Sequence, residues 1–327
     1  VHATIQLRLA ALAILAAAPA AHAERLYALV RAPLVGDSLV TFDSSLPLLT
    51  SLPVRITGMR SGEHLLGIDF RPRDGNIYGI SDTNRFYRID PTSGSAQQVS
   101  PNGALLDPAP DGAEFGLDFN PRIDLFRSVS DSGQSLRVSP FDGLVFAQDA
   151  SLRFAPGDDN EGRTPEIVDA AYTNSFVYAP ATMLYDVDAA LDILVLQSPA
   201  NSGLLNTIGP LGVNIGGPTG FDISPDGPAY LSVRPIPALP LSILYSVNLT
   251  TGAATSLGTI GVNSVQDIAV ELFCPADFNH DRQSDFFDYL DFAQALTNED
   301  PAADFNRSGQ VDFFDYLDFV MVFDQGC

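Results

Sequence analysis

The stretch "LLGIDFRPRDGNIYGIS" (Leu65–Ser81) holds a strand, a turn and a second strand. Leu65–Phe70 is a short apolar run carrying one acid, Asp69, near its end. Arg71–Asn76 is turn chemistry: Pro72 restricts its own φ, and Gly75 can take a positive one. Ile77–Ser81 resumes the apolar run. The unit recurs. "EFGLDF" (Glu114–Phe119) leads into "NPRID" (Asn120–Asp124), and "PTGFDI" (Pro218–Ile223) into "SPDG" (Ser224–Gly227). "VQDIAV" (Val265–Val270) repeats the first run alone, and "VDAAYT" (Val168–Thr173) is a weaker copy. Aligned on Asp69, Asp118, Ala171, Asp222 and Asp267, the steps are 49, 53, 51 and 45 residues.

A period near 50 made of short strands and tight turns points to a propeller, with one blade per period. Third strands follow in "RFYRID" (Arg85–Asp90), "SLRVS" (Ser135–Ser139) and "ILYSVN" (Ile243–Asn248). The turns "PTSG", "PFDG" and "LTTG" then introduce a fourth. Val265–Val270 has no outer strands of its own, and Arg25–Val54 has outer strands without an inner one. Joined, they complete a fifth blade and close the ring, which removes open sheet edges. The expected fold class is therefore mainly β, a five-bladed β-propeller-like body. Six blades is the alternative, because Asn201–Pro218 has no clear place.

Composition narrows the function. The 327 residues carry a formal charge of −23, and all 17 basic residues are Arg. Such a chain repels phosphate backbones and anionic membranes, so nucleic acid is not an expected partner. Arg8, the apolar run Leu9–Ala18 and Ala21-His22-Ala23 read as a signal peptide over residues 1–23. The mature chain is then a body over 24–273 and a tail over 274–327. It has no later stretch able to span a membrane and is expected to be secreted, either extracellular or at the cell surface. Cys274 and Cys327 bracket the tail; in an exported chain they read as a disulfide, two free thiols being the alternative.

The body offers little catalytic chemistry. After residue 23 only His64 and His280 remain, which rules out zinc sites built on His and Cys. A Ser-His-Asp triad would have to use His64, and no G-x-S-x-G elbow is present. Asp69, Asp118, Asp222 and Asp267 are expected to share one register around the channel. Two readings stay open: a ring of oxygen ligands for a hard cation, or acids that accept hydrogen bonds from neighbouring backbone amides. "FAPGDDNEGRTP" (Phe154–Pro165) is a polar insertion, either a binding loop or a solvated connector.

The tail is more specific. "DFNHDRQSDFFD" (Asp277–Asp288) returns 27 residues later as "DFNRSGQVDFFD" (Asp304–Asp315). Oxygen-bearing side chains fall at positions 1, 3, 5, 9 and 12: Asp277, Asn279, Asp281, Asp285 and Asp288, then Asp304, Asn306, Ser308, Asp312 and Asp315. Gln283 and Gln310 at position 7 would offer backbone carbonyls. This is EF-hand loop spacing, expected to hold two Ca²⁺ ions. Arg282 stands where the first loop would normally have Gly, and Ser308 is a neutral donor in the second. Each loop leads into one short amphipathic helix, with Leu290, Ala293 and Leu296, or Leu317, Val320 and Phe323, as the expected inner face.

Two resemblances follow from these residues. The stretches "RLYALV", "LLGIDFRP", "NRFYRIDPTSG", "FGLDFNP", "VSDSGQSLRVSP", "FAPGDDN", "LYDVD" and "LYSVNLTTGAAT" resemble a secreted bacterial domain-of-unknown-function family, numbered 4394. That resemblance implies a propeller-like fold and no established activity. The tandem loops, each followed by one helix, resemble a type I dockerin module of the Cys-bracketed, GC-type variant. It implies a cohesin-like or other surface protein as partner, met through positions 10 and 11: Phe286, Phe287, Phe313 and Phe314. One Phe of each pair is expected in the core and the other free. The leading expectation is a non-catalytic binding or anchoring protein, with its propeller ligand unnamed. The alternatives are a propeller hydrolase or lactonase-type enzyme using channel carboxylates and a metal, and a structural surface-layer component.

Overall fold

The computed structural model describes residues 23–32, 36–177, 179–225, 227–236, 239–272, 276–279, 284–306 and 308–325. Strands come in blocks that follow the turns read above. The first block is β1 (Arg25–Ala32), β2 (Gly36–Asp43), β3 (Leu46–Thr50) and the short β4 (Val54–Arg55). The second is β5 (Leu65–Phe70), β6 (Ile77–Ser81), β7 (Phe86–Ile89) and β8 (Ala96–Gln98). The third is β9 (Phe115–Asn120), β10 (Leu125–Ser130), β11 (Ser135–Val138) and β12 (Val145–Gln148). The fourth is β13 (Arg153–Phe154), β14 (Ile167–Tyr172), β15 (Leu184–Asp188), β16 (Ile193–Gln197) and β17 (Leu204–Pro210). The fifth is β18 (Thr219–Ile223), β19 (Ala229–Val233), β20 (Leu241–Val247) and β21 (Ala254–Asn263), after which β22 (Val265–Val270) ends the body.

These strands form five sheets, and the body is a five-bladed β-propeller. β22 pairs antiparallel with β1, so the chain's last body strand supplies the inner strand of its first blade. The six-bladed alternative fails at Asn201–Pro218. Leu204–Pro210 is the outer strand β17 of the fourth blade, and Leu211 and Ile215 beyond it pack into the core. Inner strands β5, β14 and β18 are buried on both faces, hence their near-continuous apolar runs.

Five apolar clusters lie at the five blade interfaces. The cluster between the first two blades joins Tyr27, Leu29 and Ala269 to Ile68, Phe70 and Tyr87. That between the second and third packs Tyr78 edge-on against Phe119 and Phe86 at a tilt against Phe126. Polar clasps add to them. Arg71 donates to both oxygens of Asp124, at 2.8 and 2.6 Å, tying the second blade to the third. Arg127, fully buried, donates to Tyr172, Ser135, Asp149 and Asn201, tying the third to the fourth. Such a cation is tolerable inside only because its donors are so fully matched.

The insertion Phe154–Pro165 is tied to the fourth blade. β13 runs parallel to β17, and Asp158 accepts from the Thr207 amide at 2.6 Å and its hydroxyl at 2.8 Å. The tail holds two helices among the described residues, α1 (Phe286–Thr297) and α2 (Phe313–Gln325). No helix among the described residues is long and apolar enough to cross a membrane. The signal peptide, Asp281, Gln283, Cys274 and Cys327 fall wholly or almost wholly outside the described residues, so the disulfide expectation lies outside them too.

Candidate functional site

The inner strands carry the chemistry of the body. Asp69 pairs across its sheet with Tyr78, Asp118 with Arg127, and Asp222 with Tyr230. The positions equivalent to these in the other two blades are Ala171, opposite Tyr185, and Ala269, opposite Tyr27. Asp267 therefore does not share the register of the other three. It lies two residues earlier, opposite Leu29. Asp169 occupies that same earlier level in the fourth blade and was missed in the sequence reading, which aligned the blade on Ala171.

A rule emerges. Three inner strands read Gly-x-Asp (Gly67 to Asp69, Gly116 to Asp118, Gly220 to Asp222), and two read Asp-x-Ala (Asp169 to Ala171, Asp267 to Ala269). Each blade presents one carboxylate and one small residue at two same-face positions. The small residue is forced by crowding. A Cβ on Gly116 would sit 2.4 Å from the Ala170 amide nitrogen, and one on Gly220 2.4 Å from that of Ile268. A Cβ on Gly67 would meet Asp267 Oδ2 at 2.7 Å.

The carboxylates link each blade to the next. The Phe119 amide donates to Asp69 Oδ2 at 2.8 Å, and the Tyr172 amide faces Asp118, opposing the upward push of burial on its carboxyl. The Val270 amide donates to Asp222 Oδ2 at 2.6 Å, and the Ile68 amide to Asp267 Oδ2 at 2.7 Å. Asp169 takes the amide of its neighbour Ala170 at 2.8 Å and feels that of Phe221 in the next blade. Backbone amides thus supply the hydrogen bonds that these acids accept. Two oxygens stay unsatisfied, Asp118 Oδ1 and Asp169 Oδ2, both buried. Burial pushes all five carboxyls up, Asp222 to about 7 and Asp267 to about 8. Asp186 on β15 is also fully buried with neither oxygen bonded, and its carboxyl is likewise raised by desolvation against a nearby Arg127 charge.

His64 makes no triad. Its Nδ1 lies 3.0 Å from Asp37 Oδ1, while Asp37 Oδ2 accepts the Leu65 amide at 2.6 Å. Among the described residues no serine hydroxyl bonds its ring. The contact joins the first blade to the second. A shallow pocket beyond the ends of β5 and β9 is lined by Pro72, Arg73, Pro121, Arg122, Asp124 and Val177, with no channel aspartate among them.

The chain matches "Domain of unknown function (DUF4394)" over residues 38–269. It belongs to the DUF4394 family. The DUF4394 match covers most of the propeller and none of the tail. No curated protein matches the chain. Among solved structures it is similar to a structural genomics protein of unknown function from Bacteroides thetaiotaomicron, at 11% identity and TM-score 0.44. That alignment covers 64% of this chain and 53% of the other, about half its length. It is also similar to a Bacteroides uniformis protein provisionally described as a 6-phosphogluconolactonase, at 15% identity and TM-score 0.35, over 75% and 69% of the two chains. The Dos1 propeller aligns at 11% identity and TM-score 0.36, over 71% and 58%. At these scores the likenesses carry no functional argument for a DUF4394 chain.

The tail repeats itself in space as in sequence. Phe292 and Phe319, 27 residues apart, stack at 4.0 Å with ring planes 5° apart. Tyr289 and Tyr316 meet through their hydroxyls at 3.2 Å. Each helix starts alike: Asp285 Oδ1 accepts the Phe287 amide and Asp312 Oδ1 the Phe314 amide, both at 2.8 Å. The position-12 acids are fully buried. Asp288 accepts from the amides of Asn279 (3.0 Å) and Asp285 (2.8 Å); Asp315 accepts from those of Asn306 (3.0 Å) and Asp312 (2.7 Å).

The second loop is described almost completely. Asp304 accepts from Ser308 and Gly309, and Gly309 takes φ +86°, the left-handed turn that loop position 6 demands. The residues of this loop fit a calcium ion: an all-oxygen donor set, with lone pairs left on Asp304, Asp312 and Asp315 after the amide bonds are counted.

Two expectations about the helices change. Both members of each Phe pair are out, Phe286 and Phe287 at 64% exposure and Phe313 and Phe314 at 65%. Leu290 and Leu317 are also largely exposed, at 45%. The inner face is centred on Phe292 and Phe319, with Leu296, Val320 and Phe323 against them. The stacked rings fill a very small core and rotate each helix so that its first-turn aromatics face away.

Proposed function

We propose that the protein is a secreted, non-catalytic binding or anchoring protein whose calcium-loaded tail attaches the propeller to a cell-surface or extracellular assembly. The observation that carries this reading is the pair of equivalent apolar faces on the tail. Phe286, Phe287 and Leu290 on α1 match Phe313, Phe314 and Leu317 on α2, and all six are exposed. An exposed aromatic patch of this kind marks a partner surface. Each Phe pair sits in the first helical turn behind its loop, so ordering the loop presents it.

Asp277, Asn279, Asp281, Asp285 and Asp288 with the Gln283 carbonyl would hold one ion. Asp304, Asn306, Ser308, Asp312 and Asp315 with the Gln310 carbonyl would hold the other. Bound calcium supplies positive charge that offsets the clustered carboxylates. The loop amides orient the position-12 acids, and the helix caps fix where α1 and α2 begin. A cohesin-like protein is the partner class that the tail's dockerin-like pattern suggests. The alternative, a hydrolase or lactonase-type enzyme, would use the channel carboxylates. Their burial and their bonds to backbone amides favour a role in holding the ring.

The test is retention on envelopes of the producing cell. The full chain should bind in calcium and be released by chelator, and a chain ending at residue 272 should not bind. Equal binding by the two chains would reject the attachment role.

A further inference from the structure

Three carboxylates meet at the centre of the propeller. Asp69, Asp118 and Asp222 come from the second, third and fifth blades, and one oxygen of each lies within 4.8 Å of the others. All three side chains are buried. The five-strand ring is narrow enough that β9 and β18, which are not adjacent in it, approach each other across the axis.

The cluster holds acceptors without a matching donor. No ion pair of the described residues involves any of the three acids. Their hydrogen bonds come from backbone amides, which fix the orientation of each carboxylate but add no full charge. Asp118 Oδ1 accepts nothing and is sealed from solvent. A buried acceptor left without a partner is destabilising, and an unpaired buried charge is more so. Three buried acids this close, with no cationic side chain paired to them, require either shared protons or a cation between them.

Geometry favours the cation. Oxygens bound to one calcium ion at about 2.3–2.6 Å can lie up to about 5 Å apart, which accommodates the spacing here. The donor set is entirely carboxylate oxygen, which suits Ca²⁺, Mg²⁺ or Mn²⁺ rather than a thiophilic metal. We propose that Asp69, Asp118 and Asp222 hold one hard divalent cation on the propeller axis, fastening three blades at a single point. The proposal does not depend on the tail. Asp267 and Asp169 lie one level away and are not part of this cluster.

The tail loops need to be silenced before the axial ion is counted. In the full chain carrying Asp288→Ala and Asp315→Ala, metal is stripped by chelator and then Ca²⁺, Mg²⁺ or Mn²⁺ is added back separately. After gel filtration, elemental analysis should find one ion per chain with at least one of the three metals, and the β-sheet signal should melt several degrees higher than without it. Adding Asp118→Asn should bring the count to zero and abolish the shift. If that variant does not fold, Asp69→Asn and Asp222→Asn make the same comparison. A tail-silenced chain that carries none of the three metals overturns the proposal, as does an unchanged count in a folded Asn variant.

Discussion

Asp69 and Asp169 do related work from positions one level apart, and only the cross-strand pairing reveals it. The recurring apolar runs made four of the five acids legible in the sequence, although Asp267 lies one level away from the register it was expected to share. Asp169 was not, because a two-residue shift keeps the side chain on the same face while breaking the alignment. The glycines of the Gly-x-Asp runs follow from backbone approach rather than from turn geometry, which predicts an asymmetric response. Gly116→Ala would push a methyl into β14 and should cost about 2 kcal/mol or more, read as a drop in chemical-denaturation midpoint. Asp188 gives the pH dependence. Its carboxyl, at the end of β15, is raised to about 6 by burial, although the Leu191 and Glu166 amides pull the other way. A raised acid prefers its protonated form in the fold. Its contribution is complete below about pH 4 and is lost as pH rises through 6. Asp188→Asn should therefore flatten the decline in stability between pH 4 and 7, by on the order of 2 kcal/mol. An unchanged slope in urea titrations across that range would show that Asp188 is not responsible.

Helix placement in the tail was legible because Asp285 and Asp312 stand as caps in front of apolar runs. Helix rotation was not. Leu290 and Leu317 have the right spacing for a core face, yet the central contact goes to Phe292 and Phe319, whose stacked rings leave no room for a second apolar row. This separates two classes of aromatic residue. Phe292→Ala should destabilise the tail by about 3–5 kcal/mol and abolish its helical signal. Replacing Phe286, Phe287, Phe313 and Phe314 together by Ala should leave that signal within experimental error and still prevent attachment to the envelope. A fourfold variant that loses helicity would mean these residues support the fold after all. In the body, the count of blades was readable from turn spacing. The role of Leu204–Pro210 was not, because an outer strand is only half covered and carries few apolar residues.

At the scale of the molecule, the ring is closed by its two ends. β22 pairs with β1, and the carboxylate of Asp267 reaches the Ile68 amide of the second blade. Removing Val265–Val270 would open both sides of one blade interface and uncover β1, so the whole propeller should lose its cooperative melt rather than a single blade. The tail's contribution is separate: two loops set out as a near-copy pair, each delivering an aromatic pair to solvent. The central claim is that these loops act through calcium, and calcium titration of the full chain followed by far-ultraviolet circular dichroism tests it most directly. Chelator should remove the helical component of the tail while the β-sheet signal stays folded, and calcium should restore it. Asp288→Ala with Asp315→Ala should abolish that response. A helical signal that is the same in chelator and in calcium, or one that still responds in the double variant, would contradict the account.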